Sequence, residues 1–116
     1  MSLSVQMAVR SSTLIMRLSG ELDQASIESL KRKVVEIIDK YYIKNLIINL
    51  EQVPFMDSSG IGFIIGRYTQ IKNRKGKIIV CSMNEMIERI FNLSGLKRIC
   101  HVASNELDAT KYLEVA

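Results

Sequence analysis

An α/β fold on a mainly parallel sheet is what this sequence predicts, and three observations predict it. Short apolar runs of strand length alternate with longer segments whose apolar residues recur at helical spacing. The first two runs are separated only by Arg10-Ser11-Ser12, a hairpin distance. Each later run is separated from the next by a helix, as right-handed crossovers between parallel strands require.

Taken in order, Leu3, Val5, Met7 and Val9 alternate with polar residues, and a second strand spans 13–19, completing an N-terminal hairpin. Gly20-Glu21-Leu22-Asp23 breaks that strand, with Asp23 a suitable helix N-cap. Ile27, Leu30, Val34, Ile37 and Ile38 then mark one face of a first helix, and 45–50 forms the third strand. A second helix spans 60–73, with Ile61, Ile64, Ile65, Tyr68 and Ile71 as its core face. Gly76 closes the turn into a strand at 77–81. Met86, Ile87, Ile90 and Phe91 line a third helix that Gly95 ends in a left-handed cap. A short fifth strand at 99–102 and a helix on Leu107, Thr110 and Leu113 complete about five strands and about four helices.

With 116 residues and 47% hydrophobic content, the chain suits one domain, 1–116, with a real core. It carries no recognisable leader and no apolar run long enough to span a membrane, so a soluble cytoplasmic protein is expected. Cys81 and Cys100 lie in predicted strands without metal-ligand spacing, and read as reduced core residues. The net charge of +4 invites a nucleic-acid reading, with Lys31, Arg32 and Lys33 as one cluster and Lys72, Arg74, Lys75 and Lys77 as another. Neither cluster contains interleaved aromatics, which favours solvated surface over direct nucleic-acid binding.

The densest chemical signal is Phe55-Met56-Asp57-Ser58-Ser59-Gly60, where a buried strand hands over to an amphipathic helix. Ser58 and Ser59 fall at or beside its N-cap, where unpaired N–H groups and the helix dipole favour a negative charge. A phosphate on either hydroxyl would be stabilised there; a plain capping cluster explains the same residue types. Loops after parallel strands collect at the sheet's carboxyl edge, so Asp23 and Ser58 should share one surface.

Enzymatic readings fare poorly. The single histidine, His101, lies on the fifth predicted strand, and the sequence contains no Gly-x-Ser-x-Gly elbow. Nucleotide-cradling glycine loops are missing. Asp57 lacks the companion acidic residues that a magnesium-dependent phosphoacceptor needs, so capping and orienting the loop is its expected role. Phe63 is out of phase with the isoleucine face, which leaves it either an exposed docking residue or a buried rim position. Met56 likewise falls outside the apolar stripes.

Gly20-Glu21-Leu22-Asp23, the Asp57-Ser58-Ser59-Gly60 junction, Gly66-Arg67-Tyr68 and Leu93-Ser94-Gly95-Leu96, taken in register, resemble the STAS-domain family over nearly the whole chain. Within it the likeness is to anti-sigma factor antagonists of spore-forming bacteria. The resemblance implies a regulatory protein without cofactor or enzymatic activity. It implies that the unmodified form binds an anti-sigma factor serine kinase and releases the sigma factor, and that phosphorylation by that kinase ends the binding. A PP2C-type serine phosphatase resets the cycle, and sporulation transcription is the process controlled. Ser58 takes the place of the phosphoacceptor, and Asp23 that of the residue meeting a basic group on the kinase. Glu21, Asp57, Ser59 and Gly60 complete the implied partner-binding surface. A partner-switching module of another stress pathway, or an unmodified ligand-binding or scaffold domain as in some transporters, are the alternatives.

Overall fold

The apolar residues of the central strands are sorted by pleating onto two faces, and both faces are covered. In the computed structural model, which describes residues 3–115, the sheet runs β1 (Ser4–Arg10), β2 (Thr13–Ser19), β3 (Asn45–Gln52), β4 (Ile78–Cys81) and β5 (His101–Ala103), in that spatial order. β1 pairs antiparallel with β2, and all later pairs are parallel. The helices are α1 (Gln24–Lys40), α2 (Ser58–Ile71), α3 (Glu85–Ser94) and α4 (Glu106–Val115).

Leu14, Met16 and Leu18 of β2, Leu46, Ile48 and Leu50 of β3, and Ile78 and Val80 of β4 point into the main core. There they meet Ile27, Leu30, Val34 and Ile38 of α1, Phe63, Ile64 and Ile71 of α2, and Ile87 and Phe91 of α3. Three crossover helices on one face is what a strand order that never reverses demands when every crossover has the same hand. The intervening residues Ile15, Ile47, Ile79 and Cys81 form a second, smaller core with Ala109, Tyr112 and Leu113 of α4. Arg17, at the alternate position of β2, reaches α4 through a forked ion pair, Nε to Glu106 Oε2 at 2.9 Å and Nη2 to Oε1 at 2.6 Å. Asn49 Nδ2 donates to the same carboxylate at 2.9 Å.

Several expectations shift. α2 begins at Ser58, not 60, because Asp57 is its N-cap, and the last turn tightens into a 3₁₀ turn over Lys72–Arg74. β5 begins at His101, because Ile99 and Cys100 still donate to Leu96 O at the close of a 3₁₀ turn. Cys100 therefore lies outside a strand, yet it is buried and free, its thiol pushed up to about 12 by burial. Gly95 ends α3 at φ +80°, as expected. Ile65 and Met86, placed on core faces by spacing, are 45% and 42% exposed. Arg74, grouped with the solvated basic cluster, instead caps the end of α1: its Nη1 donates to Ile38 O and Ile43 O, and its Nη2 pairs with Asp39 at 2.9 Å. His101 is exposed and stacks on Tyr112 at 3.6 Å. Among the described residues no helix is long and apolar enough to cross a membrane.

Candidate partner-binding site

The pairing of β2 with β3 does not stop where the strands end. Gly20 N–H donates to Gln52 O at 3.0 Å, Leu22 N–H to Phe55 O at 3.0 Å and Asp57 N–H to Leu22 O at 3.1 Å, so Leu22 and Met56 form an isolated parallel bridge. Both side chains of the bridge point into the core, which makes Met56 a core residue. Alternation along extended backbone then sends Glu21, Asp23, Phe55 and Asp57 the other way. The bridge brings the start of α1 beside the start of α2, although Asp23 and Ser58 are 35 positions apart in sequence.

Each start is capped by its own carboxylate. Asp23 Oδ1 accepts from Ser26 N–H at 3.0 Å and from the Ser26 hydroxyl at 2.9 Å, and Ser26 Oγ accepts in return from Asp23 N–H at 3.3 Å, closing a capping box. The Ser26 hydrogen bonds hold the Asp23 carboxyl below the usual carboxylate range. Asp57 Oδ1 accepts from Ser59 N–H at 2.8 Å. This leaves Ser58 exposed as the first helical residue and Ser59 half-buried on the second. A third cap adjoins them: Asn84 Oδ1 accepts from Ile87 N–H at 2.8 Å at the start of α3, and its Nδ2 donates to Pro54 O at 3.2 Å in the loop that carries Asp57.

Gly60 lies buried beneath this edge, and its contribution is room. A Cβ there would stand 2.3 Å from Met56 Cγ, 2.7 Å from Met56 Sδ and 3.2 Å from Leu22 Cβ. Only a glycine lets the first turn of α2 press onto the bridge that aligns the two caps.

Glu21, Asp23, Asp57, Ser58 and Ser59 are thus brought to one edge, with Gly60 under them. Phe63 is 4% exposed and belongs to the core, which removes the docking role. Sequence reasoning gave Arg67 no role beyond its place in Gly66-Arg67-Tyr68. It lies on the same buried face of α2 as Gly60, Phe63, Ile64 and Ile71, and is only 5% exposed. Its guanidinium sits 5.0 Å over the Phe63 ring, and its Nε donates to Gln70 Oε1 at 3.1 Å. Burial lowers its pKa from the usual arginine value. Its Nη1 is sealed from solvent and has no hydrogen-bond partner among the described residues, a condition that costs about 1–3 kcal/mol or more for a charged donor. Spacing could not single out Arg67, since 61, 64, 65, 68 and 71 keep helical spacing as well as 60, 63, 64, 67 and 71 do. Arg67 lines a groove of about 430 Å³ between α1 and α2, and Ser59 lines it too.

The sheet order, the single helix on the reverse face and the paired caps define the class. A family model of the STAS domain matches residues 4–109, and the chain belongs to that family. It is 36% identical over 115 residues to the anti-sigma F factor antagonist of Paenibacillus polymyxa, an alignment covering 99% of this chain and 98% of that protein. The solved anti-sigma factor antagonist SpoIIAA in its unphosphorylated form superposes with a TM-score of 0.84 at 29% identity, over 97% of this chain and 98% of that one. The phosphorylated Bacillus cell fate determinant SpoIIAA gives 0.74 at 30% identity, over 94% and 98%.

Proposed function

We propose that this chain is an anti-sigma factor antagonist whose carboxyl-edge surface binds an anti-sigma factor with serine kinase activity, so that the sigma factor is released. Ser58 is the phosphoacceptor. The observation that carries this reading is the exposed hydroxyl of Ser58 on the first turn of α2, held beside the α1 cap by the Leu22–Met56 bridge. Ser59 is the weaker acceptor, because it is half-buried and its N–H holds the Asp57 cap. The likeness to antagonists solved both without and with phosphate supports a phosphorylation switch.

In the transfer, Ser58 Oγ attacks the γ-phosphorus of kinase-bound ATP, ADP leaves and the hydroxyl proton passes to a base on the kinase. The product carries about 1.5–2 extra negative charges. The α2 N-terminus tolerates that charge, whereas an interface packed against the Asp23 and Asp57 carboxylates does not. The switch is local repulsion on an unchanged fold. Asp23, with Glu21 beside it, meets a basic group on the kinase; a PP2C-type phosphatase restores the binding form. The system operates in the cytoplasm and governs sporulation transcription.

The test is incubation with ATP and candidate anti-sigma kinases, followed by intact-mass measurement and peptide mapping. One phosphoryl group on Ser58 is expected. Phosphate on Ser59 or Ser94, or on no residue with any kinase that binds, sinks the assignment.

A further inference from the structure

Fold stability gives no account of three features of α2. Arg67 is a buried side chain that carries a charge, and its Nη1 has no acceptor among the described residues. Gly62 and Gly66 sit inside the helix, where glycine is unfavourable, yet a Cβ at either would meet nothing within 4 Å. Unlike Gly60, neither is required by internal packing. All three line the groove between α1 and α2, whose lining also includes Ser59, next to the proposed phosphoacceptor. Lys31 adds a second cation to its α1 wall, and Glu28, also on that wall, makes no hydrogen bond to Arg67 in this structure. A bare helix surface over a guanidinium that has kept donor capacity fits an incoming polypeptide bearing a carboxylate, since a planar fork pairs best with that group.

We infer that the α1–α2 groove receives an acidic side chain of the anti-sigma factor, which pairs with Arg67 while the partner backbone lies against Gly62 and Gly66. This rests on the antagonist reading above and adds a specificity-determining contact to it. Nη1 is sealed in the free protein, so docking requires the guanidinium to shift toward the groove. The shift exchanges an unpaired buried donor for a charge-assisted hydrogen bond, which makes the contact favourable only with a partner that supplies the acid.

The experiment uses the kinase that phosphorylates Ser58 in the assay above, and compares wild type, Arg67→Met and Gly66→Leu. Arg67→Met keeps length and burial but removes the charge; Gly66→Leu keeps the charge and fills the groove. Calorimetric titration at two salt concentrations should show Arg67→Met binding about tenfold more weakly or worse. Its salt dependence should be shallower, and its melting temperature unchanged or raised, because a buried unpaired charge has been removed. Gly66→Leu should also bind more weakly. Wild-type affinity in both variants would overturn the groove contact and leave the antagonist reading standing, whereas wild type binding no anti-sigma kinase would overturn both. A collapse in the melting temperature of Arg67→Met would show that the charge serves the fold and would overturn the inference. Saturable shifts of the Gly62 and Gly66 amides with inorganic phosphate or glutamate, lost in Arg67→Met while kinase binding persists, would replace the protein acid with a small anion.

Discussion

Gly60→Ala is a sharp test of how the site is assembled. The added methyl would overlap Met56 Cγ at 2.3 Å and Sδ at 2.7 Å and crowd Leu22 Cβ at 3.2 Å. Met56 is fully buried, so its middle atoms cannot swing into solvent, and Leu22 Cβ is fixed by its own backbone. Overpacking of this kind costs about 1–3 kcal/mol, against which alanine returns at most about 1 kcal/mol of helix propensity. A net loss of about 1 kcal/mol follows. Gly62→Ala and Gly66→Ala are controls in the same helix: their methyls meet nothing, and each should gain about 0.5–1 kcal/mol. Urea unfolding and scanning calorimetry should therefore separate Gly60→Ala from either control by roughly 2 kcal/mol, or about 8 °C in Tm. Because the methyl pries the Leu22–Met56 bridge apart, Gly60→Ala should also bind the anti-sigma kinase less tightly. A Gly60→Ala protein as stable as Gly62→Ala would refute the close approach and the alignment of the two caps built on it.

Three further expectations concern the caps and the reverse face. Ser58→Ala should still bind the kinase in a titration and Ser58→Asp should not, with Ser58→Asp melting at or slightly above wild type, because a negative charge at a helix start contributes about 0.3–1 kcal/mol; a large drop in its Tm would mean disrupted structure in place of repulsion. Asp23→Asn should weaken kinase binding with little change in Tm, since asparagine keeps the cap acceptor for Ser26 and removes only the charge, whereas Asp23→Lys should lose both binding and some stability; unaltered affinity in Asp23→Asn would remove Asp23 from the interface. Hydrogen bonding from Arg17 lowers the Glu106 carboxyl below the ordinary 4.5, so its contribution to stability is present above that pH and is lost as pH falls through the lowered folded value. Glu106→Gln should accordingly melt a few degrees lower at neutral pH and converge with wild type in acid; a constant difference across the pH series would contradict the ion pair.

The carboxyl-edge site was legible because its parts are local. Asp23 and Asp57 are capping residues at strand-to-helix junctions, and capping depends on a few consecutive residues. Their approach followed from topology, since loops after neighbouring parallel strands must share an edge. The alternation of Leu46, Ile47 and Ile48 between two cores was implicit in a continuous apolar strand. What lay beyond local pattern was the orientation of α2. Counting isoleucines puts Ile65 inward, but the fully buried face is Gly60, Phe63, Ile64, Arg67 and Ile71, a rotation that leaves Ile61 partly buried against the core and exposes Ile65. The approach of α2 to the Leu22–Met56 bridge sets that rotation, and the bridge joins segments more than thirty residues apart. The sequence by itself therefore determined the strands, the caps and the shared edge, because hydrophobic period and end chemistry are properties of short windows. Only the tertiary structure decided that a glycine had to face the core and that an arginine would be buried beside an open groove. Close approach and desolvation are properties of neighbours that the chain brings together only when it folds.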